Sequence, residues 1–327
     1  MKALVFDRIG PPLEVLQLRE VPLPEVREGE VLVELVSASI NPGDFLFIQS
    51  LYPEPKKPVL PGQVAGNHGA GIIRRVGQGV SLQPGTLVAF SHLDSWAEYA
   101  AVPAERLIPL PPDYPLEKAA QFFNLITAWD LLHESRVKPG QWLALTAGNS
   151  TVATMVLQMA RARGIEVVSL VRKVQPQLDL KALGASDVLE LASGPTDVGS
   201  RLRQLTGGQG VHGIVDCVGG PLLGALMRSS AFGAQVILYG GYSQEKFELH
   251  NFDILMKDLQ LRAYVYRYFF DAPKPEDLPM LRAIAELSAP PSFKVPFAQA
   301  HSLEDFKAAI GESLLRPEGG KRFFSDR

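Results

Sequence analysis

The segment Trp142 to Ala153 constrains the fold of this chain more than any other. Apolar Trp142-Leu143-Ala144-Leu145-Thr146 runs into a turn of small residues, Ala147-Gly148-Asn149-Ser150-Thr151-Val152, and then into a helical run from Met155 to Arg163. A second apolar run, Ile165 to Val171, follows and ends on Arg172-Lys173. This order predicts a strand–helix–strand unit of a parallel sheet. In such a unit the turn brings backbone N–H groups and a helix N-terminus to one point, where they can meet a pyrophosphate. The usual G-x-G-x-x-G is reduced here to Gly148, Ser150 and Ala153, so the turn survives only where Ser150 and Ala153 keep negative φ. The position after the second strand separates the two nicotinamide dinucleotides. A carboxylate there accepts hydrogen bonds from a ribose 2′-OH, whereas Arg172 and Lys173 suit a 2′-phosphate. The segment therefore predicts an NADPH site. The alternative is an ordinary strand–turn–helix that binds nothing.

Composition narrows the setting. The chain has 327 residues, enough for two domains. Its net charge is −3 with no long basic run, which leaves nucleic acid and anionic membranes little to attract them. No apolar run reaches the roughly 18–20 residues of a bilayer span. The start, Met1-Lys2-Ala3-Leu4-Val5-Phe6, enters a strand pattern at once and lacks the form of a signal peptide. The single cysteine, Cys217, excludes an internal disulfide and a cysteine-rich zinc site. The expected setting is the reducing cytoplasm.

Texture changes along the chain. Up to about Pro115, short strand patterns (Glu30 to Val36, Ala70 to Val76, Leu87 to Phe90, Glu98 to Val102) alternate with turns such as Asn41-Pro42-Gly43-Asp44 and Gln83-Pro84-Gly85. That predicts a small β-barrel-like domain. A helical stretch, Leu116 to Glu134, then leads to six predicted strands: Trp142 to Thr146, Glu166 to Val171, Asp187 to Leu191, Gly213 to Cys217, Ala234 to Leu238 and Gln260 to Val265. Their alternation with helices predicts an α/β, doubly wound parallel sheet. The expected division is residues 1–118 for the barrel domain, 119–266 for the cofactor domain, and a tail, 267–327, that returns to the first.

In order along the whole chain, these features resemble the medium-chain dehydrogenase/reductase superfamily. Ser39-Ile40-Asn41-Pro42-Gly43-Asp44 looks like the N-P-x-D turn of its zinc-free members. Val76-Gly77-Gln78-Gly79-Val80, Gln83-Pro84-Gly85-Thr86-Leu87-Val88, Thr127-Ala128-Trp129, Leu183-Gly184-Ala185 and Asp216-Cys217-Val218-Gly219-Gly220 resemble further signatures. The resemblance implies a GroES-like catalytic domain beside a Rossmann domain. Zinc-dependent members keep Cys, His and a third ligand at positions that hold Gly43, Asn67 and Asn124 here. Those residues cannot build a catalytic zinc site, and His68 without co-ligands is expected to be structural.

Among zinc-free members the enoyl thioester reductases are the nearer resemblance. Ala147-Gly148-Asn149-Ser150-Thr151-Val152 is similar to their A-A-N-S-x-V, and Ile48-Gln49-Ser50-Leu51-Tyr52-Pro53 to their I-Q-G-x-Y, whose Tyr is catalytic. Gly66-Asn67 is similar to the start of G-N-E-G. Lys257-Asp258-Leu259-Gln260-Leu261-Arg262-Ala263-Tyr264 is similar to K-D-L-K-L-R-G-F. The family follows that motif with an active-site Trp; here the residue is Val265.

The resemblance thus implies NADPH-dependent reduction of an activated C=C bond, with a 2-enoyl thioester leading. A quinone or small enone is the alternative acceptor, and an inactive NADPH-binding protein the alternative of another class. Tyr52 is the implied catalytic donor, aimed at the carbonyl oxygen where charge builds. Asn41, Thr127, Gly148, Asn149, Ser150, Thr151, Val152, Arg172, Lys173, Cys217, Val218, Tyr239, Gly240, Gly241 and Lys321 are the implied cofactor contacts. Trp96, Trp129, Tyr264 and Tyr266 are candidates for an apolar substrate wall. The family also implies a homodimer, joined at the Gln260 to Val265 edge.

Overall fold

A computed structural model describes residues 1–53, 56–191, 198–315 and 320–325. The chain forms two compact units, Met1–Phe123 with Tyr268–Arg327, and Asn124–Arg267.

The second unit carries a six-stranded sheet. Its strands are Trp142–Leu145, Glu166–Val171, Asp187–Glu190, Val211–Asp216, Ser230–Leu238 and Gln260–Ala263. They lie in the order third, second, first, fourth, fifth, sixth, and every neighbouring pair is parallel. Helices such as Thr151–Ala162 and Gly220–Arg228 make the crossovers. A parallel sheet covered on both faces needs strands that are apolar throughout. That is why Val167, Val168, Leu170 and Val171 are all buried, as are Ile214 and Val215 next door. The strand order reverses between the first and fourth strands, so their carboxyl ends open a crevice within this unit. The doubly wound sheet is the expected one.

The first unit is mostly antiparallel. Seven strands form its larger sheet around Glu30–Ser39, which pairs with His68–Val76, Tyr99–Pro103 and Lys321–Phe324. A three-stranded sheet joins Gln17–Glu20, Lys2–Phe6 and Gln63–Val64. Phe297–His301 and Lys321–Phe324 come from the tail, so the end of the chain completes a sheet begun near its start. The first division falls after Phe123, not at 118/119, because the first turn of the helix Phe122–Glu134 packs back into this unit. Phe122 meets Tyr114 edge-on at 5.9 Å and Phe123 stacks on His68 at 3.6 Å.

The short helix Pro42–Ile48 sets the position of Tyr52. Asn41 caps its start, with the Asn41 N–H donating to Asp44 Oδ2 at 2.8 Å. Its end is a Schellman turn: Leu51 N–H donates to Leu46 O (2.8 Å) and Ser50 N–H to Phe47 O (2.9 Å). The turn needs a left-handed residue, and Ser50 supplies it at φ +54° where glycine is the usual choice. Ser50→Gly should therefore raise unfolding stability by about 0.5–1 kcal/mol, read as a higher urea midpoint at unchanged slope.

Candidate active site

Tyr52 stands where the Pro42–Ile48 helix turns out of its cap. A Cβ on Gly43 would lie 2.6 Å from the Tyr52 hydroxyl, so any side chain at 43 displaces it. Phe269 meets the Tyr52 ring edge-on at 5.2 Å. Burial, reinforced by the Asp44 charge, pushes the Tyr52 phenol up to about 12. The hydroxyl is thus a fixed donor that keeps its proton at neutral pH.

Asp44 lies beneath this site with no exposed surface. Its Oδ1 accepts from the Asn67 N–H (2.9 Å) and the Asn67 side-chain amide (2.8 Å), while Oδ2 holds the Asn41 N–H. Asn41 gives its side-chain N–H to Ser39 Oγ (2.8 Å), and its Oδ1 accepts from Lys321 Nζ at 2.7 Å. Lys321 also donates to Ile40 O at 3.1 Å. Burial holds the Lys321 ammonium down to about 8, opposed by Asp44. Lys56 sits over the Phe269 ring at 4.5 Å and the Tyr52 ring at 5.4 Å. Burial, and then Lys56 and Lys321, hold His68 well below its usual pKa and hence neutral. His68 is therefore a stacked, uncharged base against Phe123.

The second unit holds the dinucleotide candidates at the carboxyl ends of its strands. Ser150 caps the helix Thr151–Ala162, accepting from the Ala153 N–H at 3.3 Å with φ −72°. The left-handed residue of the turn is Ala147, at φ +47°. Gly148 cannot carry a side chain, because its Cβ would fall 1.9 Å from Ser169 Oγ. The Asn149 amide donates to Lys173 O at 2.9 Å and so ties the turn to the end of the second strand. Ser169 Oγ and Asn149 Oδ1 are buried with no hydrogen-bond partner among the described residues. Arg172 and Lys173 are exposed, and neither pairs with a described carboxylate. Such a turn, with backbone N–H groups at a helix start and two exposed cations beyond the second strand, fits a phosphorylated dinucleotide.

At the next strand ends two loops zip together. Tyr242 N–H donates to Cys217 O (3.1 Å) and Ser243 N–H to Val218 O (2.8 Å). Gly240 lies where a Cβ would be 2.9 Å from that of Cys217. The Tyr239 hydroxyl faces Ser150 and the Cys217 thiol, and burial raises the pKa of both Tyr239 and Cys217. Gly241 is exposed beside them. Asp216 was not among the sequence candidates, yet it sets this loop. It accepts from Thr146 Oγ1 (2.8 Å), Gly219 N–H (2.8 Å) and Val218 N–H (3.3 Å). The signal was available: an acidic residue ending an apolar strand must be paired.

Some candidates are placed elsewhere. Trp96 is wholly buried, donates to Ser39 O at 3.4 Å and packs on Phe324; it is core and no substrate wall. Trp129 lies under the Arg163 guanidinium at 4.5 Å. Tyr264 gives its hydroxyl to Asp130 Oδ2 at 3.0 Å, with Thr127 beside it and Arg267 bridging the same carboxylate. Tyr264 thus belongs to a structural knot inside the second unit, with Thr127 at its edge. Tyr266 is half-buried in the same segment. Phe269 is the aromatic on Tyr52, and the sequence patterns did not single it out.

Comparison with known proteins agrees with this geometry. A family model described as a zinc-binding dehydrogenase matches residues 151–284, and one described as an alcohol dehydrogenase GroES-like domain matches 27–112. The mitochondrial enoyl-acyl-carrier-protein reductase of Homo sapiens is 30% identical over 335 residues, covering 97% of this chain and 86% of that protein. Its Rattus norvegicus counterpart is 31% identical over 337 residues with the same coverages of 97% and 86%. The chain belongs to the zinc-free medium-chain dehydrogenase/reductase family. Escherichia coli quinone oxidoreductase complexed with NADPH shares the fold at a TM-score of 0.87 and 24% identity, over 99% of this chain and 100% of that one. So does the mitochondrial 2-enoyl thioester reductase heterodimer from Candida tropicalis, at 0.85 and 22%, over 99% of each chain. The zinc in the first model's description does not fit the residues here. Gly43 offers no donor and its space holds the Tyr52 hydroxyl, while the Asn67 amide is committed to Asp44.

Proposed function

We propose that the protein reduces the C=C bond of a 2-enoyl thioester with NADPH. The placement of Tyr52 carries this proposal. A partly buried phenol with its proton secure is aimed by a helix cap and a glycine-sized gap. The 30–31% identity to enoyl-acyl-carrier-protein reductases supports the substrate class.

When bound, NADPH supplies a hydride to the β-carbon. Gly148, Ser150, Thr151 and Val152 would hold its pyrophosphate through backbone N–H groups, and Arg172 and Lys173 its 2′-phosphate. Cys217, Val218, Tyr239, Gly240 and Gly241 would border the nicotinamide half, and Asn41, Thr127, Asn149 and Lys321 complete the proposed contacts. Tyr52 holds the thioester oxygen as it gains charge. Because the hydroxyl is already oriented, little reorganisation opposes the reaction.

Two finer features belong to the same proposal. The edge strand Gln260–Ala263 is exposed at all four residues, and Phe232, Phe252, Leu255, Met256 and Val265 are exposed apolar side chains of the same unit. An unprotected edge bordered by apolar surface favours pairing with a second copy, giving a homodimer. A single cysteine supports a reducing compartment such as the cytoplasm. Among the described residues no helix is long and apolar enough to cross a membrane.

Tyr52→Phe tests the substrate class. With crotonyl thioester it should slow single-turnover NADPH oxidation by about 100- to 1000-fold, equivalent to about 2.7–4 kcal/mol. With a small quinone, a stronger acceptor, the loss should stay under about tenfold. Equal rates for wild type and variant on the thioester would remove Tyr52 from the chemistry. Reduction of the quinone alone would favour the quinone reductase alternative. NADPH binding without turnover of any acceptor would favour an inactive binding protein.

Arg172→Ala should weaken NADPH by about ten- to 150-fold in Kd and leave NADH nearly unchanged, from about 1.5–3 kcal/mol of charge-assisted bonding. An equal effect on both cofactors would place Arg172 away from the 2′-phosphate. Light scattering at micromolar concentration should give the dimer mass, and a monomer mass would refute the pairing.

A further inference from the structure

The ring that meets Tyr52 belongs to a stretch with no ladder of its own. Residues 268–271 lie outside any helix or strand, so no repeating hydrogen-bond pattern sets their course. Tyr268 is buried and roots one end of the stretch, whereas Phe270 is 52% exposed. Arg106 holds the rest. Its Nη1 donates to Asp271 O (2.8 Å) and Tyr268 O (3.3 Å), and its Nη2 to Phe270 O (2.8 Å). The backbone on both sides of Phe269 is thus drawn to one planar fork. Arg106 is itself firmly based. It ends the short turn Ala104–Arg106, between the strand Tyr99–Pro103, paired with Glu30–Ser39, and the strand Leu107–Pro109, paired with Leu87–Ser91.

Tyr52 depends on its neighbours in turn. It follows the helix Pro42–Ile48 but lies outside it, so the backbone alone does not fix its ring. The ring packs against the core of the first unit, and Gly43 leaves room for the hydroxyl. Phe269 meets the ring edge-on at 5.2 Å with an interplanar angle of 63°, and Phe270 meets Phe269 at 4.6 Å and 80°. The Lys56 ammonium lies 4.5 Å from the Phe269 centroid and 5.4 Å from that of Tyr52, and its attraction to both faces draws the two rings into one pile.

We infer that Arg106 and Phe269 are the positioning residues of Tyr52. The guanidinium fixes the bend, the bend fixes the Phe269 ring, and that ring fixes the direction in which the Tyr52 hydroxyl points. The inference rests on Tyr52 being the donor proposed above. A donor stabilises developing charge best when it need not move as the charge appears. A misplacement of about 1 Å can cost about 100-fold in rate. Neither Arg106 nor Phe269 has to touch the substrate to have this effect.

The first test reads geometry alone. With Tyr52 replaced by meta-fluorotyrosine, fluorine NMR gives one resonance that carries the ring current of Phe269. Phe269→Leu keeps an apolar side chain and removes the ring, so the resonance should move. Arg106→Met removes the fork and should move it in the same direction. Arg106→Lys keeps the charge, but a single ammonium does not reproduce the fork, so it should move the resonance as well. If urea unfolding shows that Arg106→Met does not fold, Arg106→Lys carries the same test. A resonance unmoved by the Arg106 variants would remove Arg106 from the placement of the ring, and one unmoved by Phe269→Leu would remove Phe269.

The second test reads the chemistry. In single-turnover NADPH oxidation with a crotonyl thioester, Arg106→Met and Phe269→Leu should each be about 10- to 100-fold slower, with the NADPH Kd unchanged. The double variant should be no slower than the slower single one, because both act through one contact. In a Tyr52→Phe background neither substitution should slow the reaction further. A general loosening of the fold would slow every background alike. Additive losses, or an undiminished effect in the Tyr52→Phe background, would therefore overturn the inference. If Tyr52→Phe alone keeps the wild-type rate, the donor reading of Tyr52 fails and the catalytic part of the inference falls with it. The fluorine resonance reports the placement of the ring separately.

Discussion

One buried carboxylate organises the catalytic unit. Asp44 has no exposed surface, and a carboxylate taken from water without partners is among the most expensive groups a protein can bury. Three N–H donors offset that cost, two from Asn67 and one from Asn41. Each hydrogen bond to a charged group contributes about 1.5–3 kcal/mol. The arrangement joins the Asn41 turn to the Asn67 turn, segments far apart in sequence. Its charge also acts on everything above it: it raises the Tyr52 phenol and opposes the loss of charge at Lys56 and Lys321. Moving Asp44 would change the helix start, the Asn67 loop and the protonation of two lysines together.

Around that anchor, small residues decide where larger ones go. Zinc-dependent relatives keep a metal ligand where this chain has Gly43, and here the same space holds the Tyr52 hydroxyl. In the proposed reaction the phenol would meet the need that a metal meets in those relatives, a positive or hydrogen-bonding pole at a carbonyl oxygen gaining charge. A side chain at 43 and the Tyr52 hydroxyl exclude one another. Gly148 acts similarly in the cofactor unit, where Ser169 Oγ fills the space a Cβ would need. The turn keeps its shape with one essential glycine because Ser150 stays at negative φ and Ala147 accepts the left-handed position.

The legible part of the fold was the part with period and order. Six apolar strand patterns alternating with helices specify a parallel sheet, because both faces must be covered, and the structure has those strands in that topology. The turn around Gly148 was legible for the same reason: local chemistry fixes local geometry. Asn41-Pro42-Gly43-Asp44 reads as a turn in the sequence, and in the structure it starts the helix Pro42–Ile48. Side-chain destinations were less so. Trp96 and Tyr264 look like pocket aromatics in one dimension, but one fills the core and the other answers Asp130. Ser169 escaped notice because what it meets, Gly148, lies across a strand boundary that a sequence does not display, whereas Asp216 carried its signal at a strand end.

Phe269 shows most clearly why such contacts resist reading from sequence. The family pattern places an active-site aromatic at the residue that is Val265 here, and Val265 is exposed to 57%. Motif spacing alone would conclude that this chain lacks the aromatic. Four positions further on, Arg106 gathers the carbonyls of Tyr268, Phe270 and Asp271, and the bend it holds turns Phe269 onto Tyr52. The guanidinium recognises backbone oxygens, so nothing in the side chains from 268 to 271 announces the contact. In three dimensions a ring does stand beside Tyr52, and a different segment supplies it. The same ring serves the charge above it, since an ammonium over a phenyl face is stabilised without a carboxylate that would tie up its protons. With aromatic partners in place of an acidic one, burial holds Lys56 down to about 8, with Asp44 opposing and Arg106 adding to the shift.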